Sequence, residues 1–280
     1  MQVRKPAVAG QFYPADPSEL SSLIEECYVH RLGPGKPPPA PRGNADVVAV
    51  VCPHAGYVYS GPVAAHSYLH VSSLSDPELI VVVAPNHYGI GSGVSTFRSG
   101  DWETPLGRMH VDADAARRFV ELAEIASFDP DAHRLEHSLE VQLPFLQKIY
   151  GDKVPLLPVS LVFQDMETAR TLASAIAKVV RGRRAVLVAS SDLTHYEPAA
   201  VAKEKDTALI KQVLKMDTEG FYSTLERLDV TSCGFGAIAT IMEAARALGL
   251  EKAELLKYAS SGDTTGDNVQ VVGYGALRFV

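Results

Sequence analysis

Short runs of Val, Ile, Leu and Ala recur along this chain with few polar residues inside them, and longer amphipathic stretches separate them. The runs are Val47–Cys52, Leu79–Ala84, Val154–Leu161, Ala185–Ser190 and Leu255–Ser260, with a last one between Val269 and Phe279. A strand with one wet face alternates polar and apolar residues, because successive side chains point to opposite faces. Runs without that alternation belong to strands buried on both faces of a largely parallel sheet. Parallel neighbours need long crossover connections, and helices supply them. Helical spacing is present at about 61–71, 112–125, 138–150, 166–181, 199–215, 217–227 and 234–248. An earlier helix starts at Asp16 as N-cap, with Pro17 at N1 and Glu19 at N3, a capping-box variant. Gly249 suits the C′ position of the last helix.

The predicted fold class is therefore α/β, with a largely parallel central sheet flanked by helices. With 280 residues, 46% of them apolar, the chain can bury one sizeable core. The proline-rich segment 33–43 is read as an extended surface loop. A boundary there would leave too short an N-terminal piece to fold alone, so a single domain is expected over 1–280.

A net charge of −7 argues against binding to nucleic acid or to anionic membranes. No secretory signal is expected at the N-terminus, and no apolar run of the roughly 18 residues a membrane helix needs is present. Three scattered cysteines, Cys27, Cys52 and Cys233, do not make a disulfide framework, so a reducing cytoplasm is the expected location.

Ligands of open α/β sheets bind beyond the carboxyl ends of the strands. Three of the predicted strands are followed there by a histidine: His54 in Pro53-His54-Ala55-Gly56-Tyr57, His87 in Pro85-Asn86-His87-Tyr88-Gly89, and His195 in Ser191-Asp192-Leu193-Thr194-His195-Tyr196. His54 and His87 share a setting and read as a metal pair, since imidazole suits Fe, Zn and Cu. Cys233, between Ser232 and Gly234 and just before a helix, is the best third ligand; the helix terminus would favour its thiolate. Asp192 and His195 are spaced to pair by a hydrogen bond, giving a general acid/base or an orienting pair. Tyr57, Tyr88 and Tyr196 flank the histidines and are candidate substrate contacts. His137, in Glu136-His137-Ser138-Leu139-Glu140, is a candidate rim residue at the start of a helix capped by Ser138. The remaining five histidines read as structural. A hydrolase built on Ser191 or Cys233 lacks a nucleophile motif.

Six motifs taken together resemble the Memo family: Ala9-Gly10-Gln11-Phe12-Tyr13-Pro14, Pro53-His54-Ala55-Gly56-Tyr57, Pro85-Asn86-His87, Glu136-His137-Ser138-Leu139-Glu140, Ser191-Asp192-Leu193-Thr194-His195-Tyr196 and Cys233-Gly234. Microbial members are known as protein B of the AmmeMemoRadiSam system. The resemblance covers nearly the whole chain. It implies a fold like that of class III extradiol dioxygenases, which are non-haem Fe(II) enzymes. It also implies that His54, His87 and Cys233 occupy metal positions, with Asp192 and His195 beside them. A functional link to radical-SAM and AMMECR-type proteins is implied in the same way. Those dioxygenases use two histidines and a carboxylate, whereas the third position here is a cysteine, which shifts preference towards copper or zinc beside Fe(II). Gln11 stands where animal members carry a serine. The function expected is a dioxygenase-like oxidoreductase with Fe(II) or Cu. The alternative is a non-catalytic module that binds a peptide, a phosphorylated group or a small molecule in the same pocket.

Overall fold

The computed structural model describes residues 2–37 and 40–280; Pro38 and Pro39 of the predicted 33–43 loop lie outside the described residues. In chain order the elements are β1 (Val3–Arg4), α1 (Pro17–Val29), β2 (Val47–Cys52), α2 (Tyr57–Val71), β3 (Leu79–Pro85), β4 (Val94–Thr96), β5 (Asp101–Thr104), β6 (Gly107–His110), α3 (Ala113–Ala123), β7 (Ser127–Phe128), α4 (Leu143–Tyr150), β8 (Leu156–Leu161), α5 (Met166–Val180), β9 (Ala185–Ser190), β10 (His195–Glu197), α6 (Ala199–Leu214), α7 (Thr218–Leu228), α8 (Phe235–Ala247), β11 (Ala253–Ser260), α9 (Ser261–Thr265) and β12 (Val271–Phe279). Two 3₁₀ turns, Pro130–His133 and Glu140–Gln142, lie before α4.

The main sheet runs β10-β12-β2-β9-β3-β8-β4-β7, with β11 also paired to β12. Its centre is parallel: β2 pairs β9, β9 pairs β3, and β3 pairs β8. These are the four runs without polar alternation, and nearly every residue in them is buried, as two covered faces require. The last two runs differ. β11 and β12 form an antiparallel ladder, and β12 lies antiparallel to β2. β11 is partly exposed, in keeping with its place off the sheet's centre. α2 packs on β2 and β12 with α1 against it, and α8 packs on β9 and β3 with α5 against it. A second, three-stranded sheet, β1-β5-β6, has no counterpart in the apolar pattern, since its strands are short and rich in charge.

Local chemistry sets most helix starts. Asp16 accepts from the Ser18 and Glu19 amides at the start of α1, and Asp112, Asp165 and Asp217 cap α3, α5 and α7 in the same way. Gly249 follows α8 with φ +89°, as a C′ glycine should. Two boundaries differ from expectation. α2 starts at Tyr57, four residues earlier than predicted, and carries Pro62 inside it. Packing of the buried Tyr57 and Tyr68 outweighs the hydrogen bond lost at the proline. The helix expected over 138–150 is regular only from Leu143. Ser138 is no cap: its hydroxyl donates to the Pro85 carbonyl at 2.7 Å.

Candidate metal centre

The parallel register explains why distant residues meet. β2, β9 and β3 are adjacent and point the same way, so the segments leaving their carboxyl ends are neighbours. β2 delivers His54, β3 delivers His87, and β9 delivers Asp192 and His195. Cys233 arrives on the segment before α8. It comes close because Gly234 follows it: a Cβ on Gly234 would lie 2.3 Å from the Ser190 carbonyl oxygen.

One potential ligand atom each from His54, His87 and Cys233 lies within 4.8 Å of the others. The Cys233 Sγ is 3.2 Å from His54 Nε2 and accepts from the Asp192 amide at 3.3 Å. His87, Glu136 and His137 form a second such group sharing His87. The three imidazoles of His54, His87 and His137 pack together, with centroids 4.7–5.5 Å apart.

Proton counting fixes the tautomers. Ser190 Oγ has one proton; it donates to the Ser138 carbonyl at 2.7 Å and accepts from Gln142 Nε2 at 2.7 Å. Its 2.9 Å contact with His54 Nδ1 is therefore donated by the imidazole. Gln142 cannot be reversed, because its Nε2 also donates to the Pro53 carbonyl and its Oε1 accepts from Tyr68. His54 is thus protonated at Nδ1 and presents the Nε2 lone pair to Cys233. His87 Nδ1 lies 2.9 Å from Glu136 Oε1, and His195 Nδ1 lies 2.9 Å from the Thr231 carbonyl, so each donates there and keeps Nε2 free. Imidazole ligands held through their other ring nitrogen are the usual arrangement of a metal site. Two such imidazoles beside a thiol are a fitting donor set for a transition metal.

Burial pushes the His54 imidazole well below the ordinary histidine range, and the neighbouring histidines add to this. His137 is lowered to about 4, mainly by burial. Glu136 is buried, which alone would raise its pKa, yet its hydrogen bond to His87 and the nearby imidazoles hold it at about 2. Asp192 is raised to about 6 by burial, against the amide of His54 that it accepts. Burial and the Asp192 charge push the Cys233 thiol upwards. That reverses the expectation of a thiolate favoured by the helix terminus: desolvation and the neighbouring carboxylate hold the half-buried thiol towards its neutral form.

An open cleft of about 850 Å³ lies over the cluster. His54, His87, His137, Asp192, His195, Tyr196 and Cys233 line it. Tyr57 does not, which corrects its assignment as a substrate contact. Its ring is 1% exposed in the core, and its hydroxyl donates to the Val141 carbonyl. Tyr88 is exposed but lies outside the lining. Asp192 and His195 share no hydrogen bond, since Asp192 accepts from the His54 amide and Thr231 takes the His195 proton. Ser191 is buried against Ser232 and the Asp192 carbonyl, with no histidine partner, which removes it as a nucleophile. The sequence reading missed Ser190, Gln142 and Glu136 as supports, and Phe12, Tyr59 and Tyr274 as lining. Adjacency of Glu136 to His137 was the one available signal.

A family model described as Memo-like protein matches residues 4–278. The chain belongs to the Memo family. A MEMO1 family protein of Nitrosopumilus maritimus is 46% identical over 278 residues, covering 99% of this chain and all of that one. Another, from Desulfurococcus amylolyticus, is 48% identical over 282 residues, covering all of this chain and 99% of that one. The crystal structure of an uncharacterized protein from Escherichia coli K12 superposes with a TM-score of 0.56 at 18% identity. It covers 83% of this chain and 99% of that one, a likeness of fold alone. Among the described residues no helix of this Memo-family chain is long and apolar enough to cross a membrane.

Proposed function

We propose that this Memo-family protein is a metal-dependent oxidoreductase of dioxygenase-like type, with His54, His87 and Cys233 holding Fe(II) or Cu, and Zn as the redox-silent competitor. The observation that carries the reading is the convergence of those three donors, with both imidazoles locked as Nδ1–H tautomers. The ion would supply redox and Lewis-acid chemistry at the cleft floor. His195 is the proton acceptor of the reading. It lies on the cleft wall, its Nδ1 is committed to Thr231, and its Nε2 is free to take a proton from a bound substrate.

The test is metal content. Anaerobically purified protein is compared with the His54→Ala/His87→Ala double variant by elemental analysis, after exposure to equal Fe(II), Cu and Zn. Near-stoichiometric metal in the wild type and its loss in the folded variant are expected. Equal metal in both refutes the assignment. The second reading, a binding module without chemistry, draws support from the breadth and aromatic lining of the cleft. It predicts ligand binding that is indifferent to metal removal.

A further inference from the structure

His54 and His87 leave the ends of β2 and β3, whereas Cys233 sits in Thr231-Ser232-Cys233-Gly234, a segment without regular structure between α7 and α8. α8 starts on Gly234, which has no side chain to cap it. Two glycines seat this segment. Gly234 admits the Ser190 carbonyl, and Gly236 admits Gln164: a Cβ on Gly236 would lie 2.7 Å from Gln164 Cβ and 2.8 Å from its Cα.

At that range the Gln164 side chain bridges the segment. Its Nε2 donates to the Cys233 carbonyl at 2.9 Å, and its Oε1 accepts from the Gly236 amide at 2.9 Å. The reverse orientation of the side-chain amide would set donor against donor and acceptor against acceptor, so the pairing is fixed. The Gly236 bond satisfies one of the N–H groups that a helix leaves open at its start. The Cys233 bond does nothing for the helix; it ties down the carbonyl of the residue that carries the sulfur. The bridge is itself braced. The Gln164 carbonyl accepts from the Tyr222 hydroxyl at 2.7 Å, the Phe163 amide donates to the Gly93 carbonyl at 3.0 Å, and Asp165 accepts from the Thr168 amide at 2.9 Å to cap α5. A side chain can place a ligand only when its own backbone is held.

We propose that Gln164 is the positioning residue of Cys233: its amide, clamped to the Cys233 carbonyl and the Gly236 amide, holds the sulfur beside His54 Nε2. This rests on reading Cys233 as a metal ligand, and it assigns that ligand's placement to a side chain from the β8–α5 connection.

Two substitutions separate placing Cys233 from capping α8. Gln164→Met has a similar length and makes neither bond. Gln164→Glu still accepts from Gly236, with a negative charge that suits a helix start, but its oxygens repel the Cys233 carbonyl. Co(II) is the probe, because a thiolate bound to it gives a charge-transfer absorption that imidazole ligands do not. In both variants that band should fall by at least half at saturating Co(II), and Co(II) affinity should fall about tenfold. An undiminished band in Gln164→Met, or a wild-type band in Gln164→Glu, overturns the proposal, because Gln164 would then only cap the helix. Iodoacetamide labelling of the metal-free proteins, read by mass spectrometry at the Cys233 peptide, needs no metal. Cys233 is half-buried whereas Cys27 and Cys52 are buried, and both variants should label at Cys233 several-fold faster than wild type. Equal rates overturn the proposal. Wild type that takes up no Co(II), with faster labelling in the variants, refutes the metal reading and upholds the clamp.

Discussion

Ser190→Ala deletes a hydroxyl at the end of β9 that joins three buried groups: the Ser138 carbonyl, Gln142 Nε2 and His54 Nδ1. Gln142 keeps its bond to the Pro53 carbonyl. The Ser138 carbonyl and the His54 N–H are stranded in a region with almost no solvent, where His54 is 1% exposed. Leaving a buried donor or acceptor unpaired costs about 1–3 kcal/mol. Two such groups, taken at the low end because the site can relax, cost about 2–4 kcal/mol. For a chain of this length that lowers Tm by roughly 3–7 °C. The imidazole can recover part of the loss by moving its proton to Nε2, but that nitrogen then donates towards Cys233 and no longer offers a lone pair. Metal affinity should therefore fall about 10–100-fold, the usual effect of losing a partner that orients a ligand. The assay is long-range ¹H–¹⁵N correlation of the imidazole resonances, alongside metal titration and thermal melting. A variant that melts lower while His54 stays wholly Nδ1–H, with metal affinity within twofold of wild type, refutes the reasoning, because Ser190 would then support the fold and not the ligand.

Arg4→Met should cost about 3–5 kcal/mol in urea unfolding, since Glu140, 0% exposed, loses the guanidinium that neutralises it; a loss under 1 kcal/mol would show that the Ala7, Val8 and Tyr13 donors suffice for Glu140. His133 predicts an acid sensitivity. Burial first, and the Arg4 charge second, lower it from 6.5 to about 3, so the unfolded chain takes up a proton below pH 6.5 that the folded chain refuses. Stability contributed by neutral His133 is thus lost progressively as pH falls from 6.5 towards 3, by up to about 5 kcal/mol at 1.36 kcal/mol per unit. His133→Phe should flatten the slope of unfolding free energy against pH by up to one proton; an unchanged slope rejects the assignment.

The fold was legible where burial dictates composition. The four central strands carry no polar alternation because helices cover both faces, the pattern of a parallel α/β sheet, whereas the last two runs, read from the same signal, pair antiparallel. β1, β5 and β6 were not legible. Their residues are charged and few, and they are strands because Val3 and Arg4 pair with Asp101 and Trp102, which local sequence does not encode. At the site, His54, His87 and Cys233 stood out because each sits where an element ends. Their supports did not. Glu136 reads as an ordinary acidic residue near a helix start, and only the fold brings it to the His87 Nδ1 and amide. Tyr57 shows the opposite error: proximity to His54 in sequence suggested the cleft, but the helix starting at Tyr57 turns its ring into the core.

The atoms that set the histidine tautomers are also atoms that close the core. Gln142 receives Tyr68 from α2, reaches Pro53 after β2 and meets Ser190 on β9, so one amide ties the helical layer to two strands. Glu136 bonds His87 and the Ser138 amide, and Ser138 in turn holds the end of β3 through the Pro85 carbonyl. Buried polar networks are costly unless every member is satisfied, and each member here finds partners among the described residues. Their persistence inside a Val- and Ala-rich sheet follows if orienting two imidazoles is worth that cost. An apolar replacement of the same shape could pack as well, but nothing in it could decide which nitrogen of His54 carries the proton. Fold stability and ligand orientation therefore draw on the same hydrogen bonds, and substitutions at Ser190, Gln142 or Glu136 should change both together.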